Sequence, residues 1–89
     1  MPTVLRIDGF RFFFYSNEGD EPAHIHITSG EAEAKFWLDP ISLASNNGFN
    51  APTINKLTAH VRNHQMLLLA KWNEFFRPAA DDAILGESQ

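Results

Sequence analysis

The chain has 89 residues, of which 44% are hydrophobic and 20% charged, which is the composition of an ordinary globular domain and excludes a disordered chain. The formal net charge is −4 and cysteine is absent, so disulfide staples, thiolate catalysis and zinc–cysteine sites are excluded. A chain of this length builds one core and is too short for two.

The charge is unevenly spread. Residues 78–89 hold Asp81, Asp82 and Glu87 and no base, whereas residues 1–77 hold eight acids and seven bases. The expectation is a single domain over residues 1–77 followed by an acidic, flexible tail over 78–89. A nearly neutral body lacks the clustered positive charge that broad DNA binding requires, so DNA is not an expected partner of the chain alone, while a small RNA site stays open. The start, Met-Pro-Thr-Val-Leu-Arg, has neither the basic region nor the apolar stretch of a signal peptide. No apolar run approaches the length needed to span a bilayer. Together with the lack of cysteine, this points to a cytoplasmic protein without a membrane partner.

In chain order, Asp8-Gly9 is a two-residue turn signal between strand-like Thr3–Ile7 and Phe10–Tyr15. Such a turn sets Ile7 against Phe10, Arg6 against Arg11 and Leu5 against Phe12. Leu5, Ile7, Phe10, Phe12 and Phe14 then form the core face, and Val4, Arg6, Arg11, Phe13 and Tyr15 the other. Residues 16–22 read as a polar loop. Glu18, Asp20 and Glu21 in it lack the ligand spacing of an EF-hand and read as solvated acids. A second hairpin joins Ala23–Thr28 to Glu31–Leu38. With Ser29-Gly30 as its turn, His26 opposes Glu33 and His24 opposes Lys35. Asp39-Pro40 ends that strand, and a short strand near Ile41–Ala44 precedes the turn at Asn47-Gly48. Asn50 reads as a helix N-cap with Pro52 in the first turn. Ile54, Leu57, Val61, Leu68, Trp72, Phe75 and Phe76 then recur at helical spacing up to Arg77-Pro78. The expected fold is α+β: an antiparallel sheet of four to five strands from two hairpins, with one long C-terminal helix across its apolar face.

The chemistry-bearing residues gather on the second hairpin. His24 and His26 are two apart, so on a strand they share one face. Imidazole binds metals and moves protons near neutral pH. With Glu33, the pair has the composition of a two-histidine, one-carboxylate metal site. The alternative is a surface pair, with Glu33 hydrogen-bonded to His26. Lys35 beside His24 opposes a cation and no fourth ligand is apparent, so neither a metal nor another cofactor is expected. Arg6 and Arg11, like charges directly opposed, call for a partner. Either an acid such as Glu31 or Glu33 offsets them, or they form an anion site. Arg6, Arg11 and Lys35 to hold a phosphodiester, with His24 and His26 as the acid/base pair, suit metal-free RNA cleavage if the hairpins share a sheet. Glu33 and Trp37 are supporting residues, as is His64 at the edge of the helical stripe, where a partly buried, hydrogen-bonded histidine is expected. His60 reads as a surface residue. Phe13, Tyr15 and Trp37 could instead dock a protein partner, which makes a non-enzymatic interaction module the alternative function.

Pro-Thr-Val-Leu-Arg-Ile-Asp-Gly-Phe-Arg-Phe-Phe-Phe-Tyr-Ser-Asn-Glu, Glu-Pro-Ala-His-Ile-His-Ile, Glu-Ala-Lys-Phe-Trp-Leu and Asn-Asn-Gly-Phe occur here in order, ahead of a helix with His64, Trp72 and Phe75-Phe76. This pattern resembles the small bacterial domain-of-unknown-function family 4160 over about residues 2–76. Ala23 stands where members usually carry Pro, and isoleucine stands around the histidines where valine is common. Both changes are compatible with a strand. The resemblance implies a toxin-like component of a type II toxin–antitoxin pair, with a small antitoxin-like protein as partner. Its candidate positions are His24, His26, Lys35, Trp37, His64 and Trp72, and it carries no particular reaction. The oligomeric state is open.

Overall fold

The computed structural model describes residues 3–76. The division at residue 77 and the acidic tail over 78–89 lie outside the described residues. Five strands, β1 (Thr3–Ile7), β2 (Phe10–Phe13), β3 (His24–Ser29), β4 (Ala32–Leu38) and β5 (Ile41–Asn47), precede two helices, α1 (Ala51–Asn63) and α2 (Gln65–Phe76). The strands form one antiparallel meander in the order β1-β2-β3-β4-β5. Each strand therefore pairs with its sequence neighbour, and β3 is central.

The first hairpin has the expected register, with Ile7 opposite Phe10, Arg6 opposite Arg11 and Leu5 opposite Phe12. Asp8 and Gly9 both have positive φ, 54° and 84°, as a twisted two-residue hairpin turn requires. The pairing slips between Thr3 and Leu5. This irregularity breaks the alternation that put Val4 on the outer face, and Val4 packs against the core instead.

The second hairpin turns one residue later than Ser29-Gly30. Ser29 pairs with Ala32, so Gly30 and Glu31 are the turn, and Gly30 supplies the positive φ of 60° that the first turn position needs. The register is thus displaced by two residues: His26 faces Lys35 and His24 faces Trp37. A displacement of two keeps every side chain on its expected face.

The core lies between the sheet and the helices. Phe12, Phe14, Ile25, Ile27, Ala34, Phe36 and Leu38 meet Leu57, Val61, Leu68 and Trp72, all of them buried. The Asn50 side chain accepts from the Thr53 amide at 2.9 Å, which caps α1 as expected. The single long helix is not observed. His64 leaves helical geometry with φ −117° and ψ 17°, and its amide bonds back to the His60 and Val61 carbonyls at 3.1 and 3.2 Å. Gln65 opens α2 by donating its side-chain amide to the Leu38 carbonyl at 2.6 Å. Val61 and Leu68 stay seven residues apart on the apolar stripe, so the periodicity carries no mark of the break.

Leu57→Ala should cost about 2–5 kcal/mol, because Leu57 is fully enclosed and leaves a cavity. Met66→Ala, at a side chain that is 79% exposed, should stay within about 0.5 kcal/mol. Urea unfolding of both variants checks the placement of the helices on the sheet.

Candidate functional site

The outer face of the sheet is built in rows across the strands. Arg6, Arg11, Thr28 and Glu33 make one row, and Phe13, His26 and Lys35 the next. His24 and Trp37 make the third. Side chains directly opposed in a sheet share a face, so both histidines, both arginines, Lys35, Glu33 and Trp37 lie on one surface. His64 does not join them. It sits between the helices, with Nδ1 donating to the His60 carbonyl at 2.9 Å.

The middle of this surface is covered. His24 is fully buried and His26 is 7% exposed, although the histidine strand alternates with a buried isoleucine face. The cover is the segment between β2 and β3, expected as a solvated loop. Glu18 turns its carboxylate onto both rings: Oε1 meets His24 Nε2 at 2.8 Å and His26 Nε2 at 3.0 Å, and Oε2 meets His26 Nε2 at 3.1 Å. The side chain of Glu18 is 16% exposed. The Glu18 carbonyl accepts from the Glu21 amide at 3.1 Å, which closes the local turn. Gly19 lies against α2, where an added Cβ would stand 2.7 Å from the Phe76 ring, so only glycine lets the segment approach this closely.

The other ring nitrogens point outward. His24 Nδ1 donates to the Pro22 carbonyl at 2.9 Å, and His26 Nδ1 donates to Glu33 Oε2 at 3.1 Å. Glu33 thus reaches His26 diagonally, although Thr28 is its direct neighbour. Phe13 stacks on His26 at 5.5 Å with 21° between the planes, and the Tyr15 ring meets His26 edge-on at 4.6 Å. Trp37 and Trp72 flank His24 at 5.6 and 4.8 Å. Among the described residues, no buried side-chain nitrogen or oxygen lacks a hydrogen-bond partner.

The charged residues differ in their freedom. Lys35 is engaged: Nζ donates to Glu21 Oε1 at 2.8 Å and lies 4.6 Å from the Trp37 ring centre. Arg11 donates through Nε to Thr3 Oγ1 at 2.9 Å, and its guanidinium lies over Phe13. Neither Arg6 nor Arg11 forms an ion pair among the described residues, so the acid partner expected from Glu31 or Glu33 is not there. Phe13, expected among the docking aromatics, is buried beneath Arg11. His60, read as a surface residue, contacts Asp8 Oδ2 at 3.1 Å and packs near Phe10 and Phe12, tying α1 to the first hairpin.

Burial works against the charge on Glu18. Hydrogen bonds from His24 and His26, together with their positive charge, outweigh it and hold the carboxyl below its ordinary value. Burial raises the Tyr15 phenol, and the negative charges of Glu33 and Glu18 raise it further, against a smaller opposing effect of Arg11. The arrangement can therefore do two things chemically. It can hold a carboxylate and two imidazoles in mutual contact at the edge of solvent, and it presents beside them two guanidinium groups that form no ion pair among the described residues.

A five-stranded meander backed by two helices, with an enclosed histidine–carboxylate cluster on its outer face, defines a small α+β domain. Residues 9–73 match the family described as a domain of unknown function (DUF4160), and the chain belongs to it. No curated protein and no solved structure matched the chain.

The lowered Glu18 carboxyl has a definite consequence for stability. A depressed native value adds stability that is complete above the ordinary glutamate pKa of about 4.3 and is lost as pH falls through the native value. Replacing Glu18 by Gln (E18Q) should therefore cost about 1–3 kcal/mol between pH 5 and 7, with the gap to wild type closing below about pH 4. Urea unfolding across that range measures it, and a gap of constant size would mean that Glu18 does not enter the fold as a carboxylate.

Proposed function

We propose that the chain is the toxin-like component of a bacterial type II toxin–antitoxin pair and that its target is RNA. The observation that carries this reading is the common surface of Arg6, Arg11, His24 and His26, in which the two arginines face each other with no acid between them. An opposed guanidinium pair is unfavourable by itself and is relieved by a phosphate or carboxylate. Lys35, already engaged with Glu21, has a secondary part in anion binding.

The roles of the two histidines differ. A residue that exchanges a proton with a substrate must come within hydrogen-bond reach of it. His26 is the more exposed of the two, and because Glu18 and Glu33 engage both its nitrogens it exchanges a proton with substrate only when one of these carboxylates gives way, whereas the enclosed His24 holds Glu18 against His26 and is a positioning residue. Glu33 orients His26 through Nδ1. The partner would be a small antitoxin-like protein. Met66 and Leu67, adjacent at the start of α2, expose apolar area that such a protein could cover. The interaction-module reading is weaker, because its aromatic face loses Phe13 to burial and Trp37 to Lys35.

Induction of wild type and of His26→Ala in a bacterial host, at matched expression, tests the reading. Wild type should arrest growth and His26→Ala should relieve the arrest, with RNA cleavage by purified protein reduced about 10²–10⁴-fold. Equal growth with both chains would overturn the toxin reading, and loss of partner binding in Trp37→Ala would favour the interaction module. In RNA binding, Arg6→Ala and Arg11→Ala should each lower the slope of log affinity against log salt by about 0.7, one phosphate contact on a single strand.

A further inference from the structure

The geometry points to a binding site for one divalent first-row transition-metal cation of the zinc type, held by Glu18, His24 and His26. One ligand atom from each of these residues lies within 4.8 Å of the others, and both imidazoles turn the same atom, Nε2, toward one carboxylate. The inference rests on this trio alone and holds whether or not RNA is the target.

Three features distinguish the trio from an ordinary hydrogen-bonded cluster. The first is the outward bonding of the rings. A metal-ligating histidine donates its second N–H to a backbone carbonyl or a carboxylate, which sets the tautomer and aims the free lone pair at the ion. His24 makes the first kind of bond, to Pro22, and His26 the second, to Glu33. Both rings thus have their Nδ1 protons anchored and their Nε2 atoms convergent.

The second is size. Around a tetrahedral ion with bonds of about 2.0–2.1 Å, ligand atoms stand about 3.3 Å apart. Nε2 of each ring stands 2.8–3.1 Å from the Glu18 oxygens, a few tenths of an ångström short of that spacing, and the three ligand atoms all lie within 4.8 Å of one another, so small side-chain adjustments bring the set to the size of the ion. Glu18 sits on a connecting segment and can give that distance without disturbing the β3 ladder. On binding, each Nε2 directs its lone pair at the ion, and any proton it shares with Glu18 leaves to solvent.

The third is the local charge. Lys35, which as a direct neighbour of the histidines opposes a cation, is paired with Glu21, and Glu33 adds a second carboxylate behind His26. Two nitrogen donors disfavour Mg²⁺ and Ca²⁺, which take oxygen. Enclosure of His24 and near-enclosure of His26 leave little room for the three outside ligands of an octahedral iron site. Three protein ligands leave a four-coordinate ion one position for water or a substrate atom, and His26 then acts as a ligand at the point where the cluster meets solvent.

Zinc chloride titrated into chelator-treated full-length protein, by calorimetry and by metal analysis after desalting, tests this without RNA or a partner. One zinc per chain is expected, with a rise in melting temperature, and no stoichiometric uptake of Mg²⁺. Glu18→Gln and His26→Ala should each lose stoichiometric binding, Glu33→Gln should weaken it about 10–100-fold, and His60→Ala should leave it unchanged. Circular dichroism confirms that the variants are folded. Should His26→Ala fail to fold, the cobalt-substituted wild type still decides: strong visible bands of a four-coordinate ion support the site, and a weak octahedral spectrum overturns it. Zinc uptake well below one per chain, or uptake retained in Glu18→Gln and lost in His60→Ala, would also overturn it.

Discussion

The contact on which the outer half of this domain depends is a single carboxylate placed between two imidazoles. β3 is the central strand and is buried on both faces, by isoleucines against the helices and by histidines beneath the β2–β3 segment. Two polar rings in the middle of a sheet are costly unless every nitrogen finds a partner. Glu18 supplies two of those partners at once and, in doing so, draws its own segment down onto the sheet. Without it the segment would be held by the bond of His24 to the Pro22 carbonyl, the approach of Gly19 to Phe76 and the engagement of Glu21 by Lys35.

The two faces of the sheet are consequently held by different physics. The inner face is non-directional: phenylalanines and aliphatic side chains remove area from water against Leu57, Val61, Leu68 and Trp72. The outer face is directional and charged, with Glu18 joined to two ring nitrogens and Glu33 and Glu21 to one nitrogen each. Trp72 and Phe76 link the two systems, because α2 touches both the His24 ring and the covering segment. A shift of α2 would therefore be felt at the histidines as well as in the core.

This division explains the uneven legibility of the chain. The Asp8-Gly9 hairpin, the Asn50 cap and the alternation of β3 are local, so turn chemistry and side-chain period reveal them directly. The second hairpin was readable only to within two residues, since Ser29-Gly30 and Gly30-Glu31 differ in where glycine sits in the turn and keep the same faces. The break at His64 left no signal, having neither glycine nor proline and no change in the apolar spacing. His60 looked exposed because the helix alone cannot show that the Asp8 turn folds over to meet it.

What the amino-acid sequence determined by itself is the α+β class, the two hairpins, the common face of Arg6 and Arg11 in the first and that of His24, His26 and Lys35 in the second. Period-two alternation and short turns leave little freedom in these. Only the tertiary structure decided that β2 pairs with β3 so that the two faces become one surface, that the histidines on it are enclosed, that Glu18 rather than Glu33 stands between the rings, and that Lys35 spends its charge on Glu21. Glu18 lies in an irregular segment, six residues before His24, where no periodicity constrains a side chain. Its direction follows from the demand of two buried imidazoles for an acceptor, a demand that exists only once the sheet has formed.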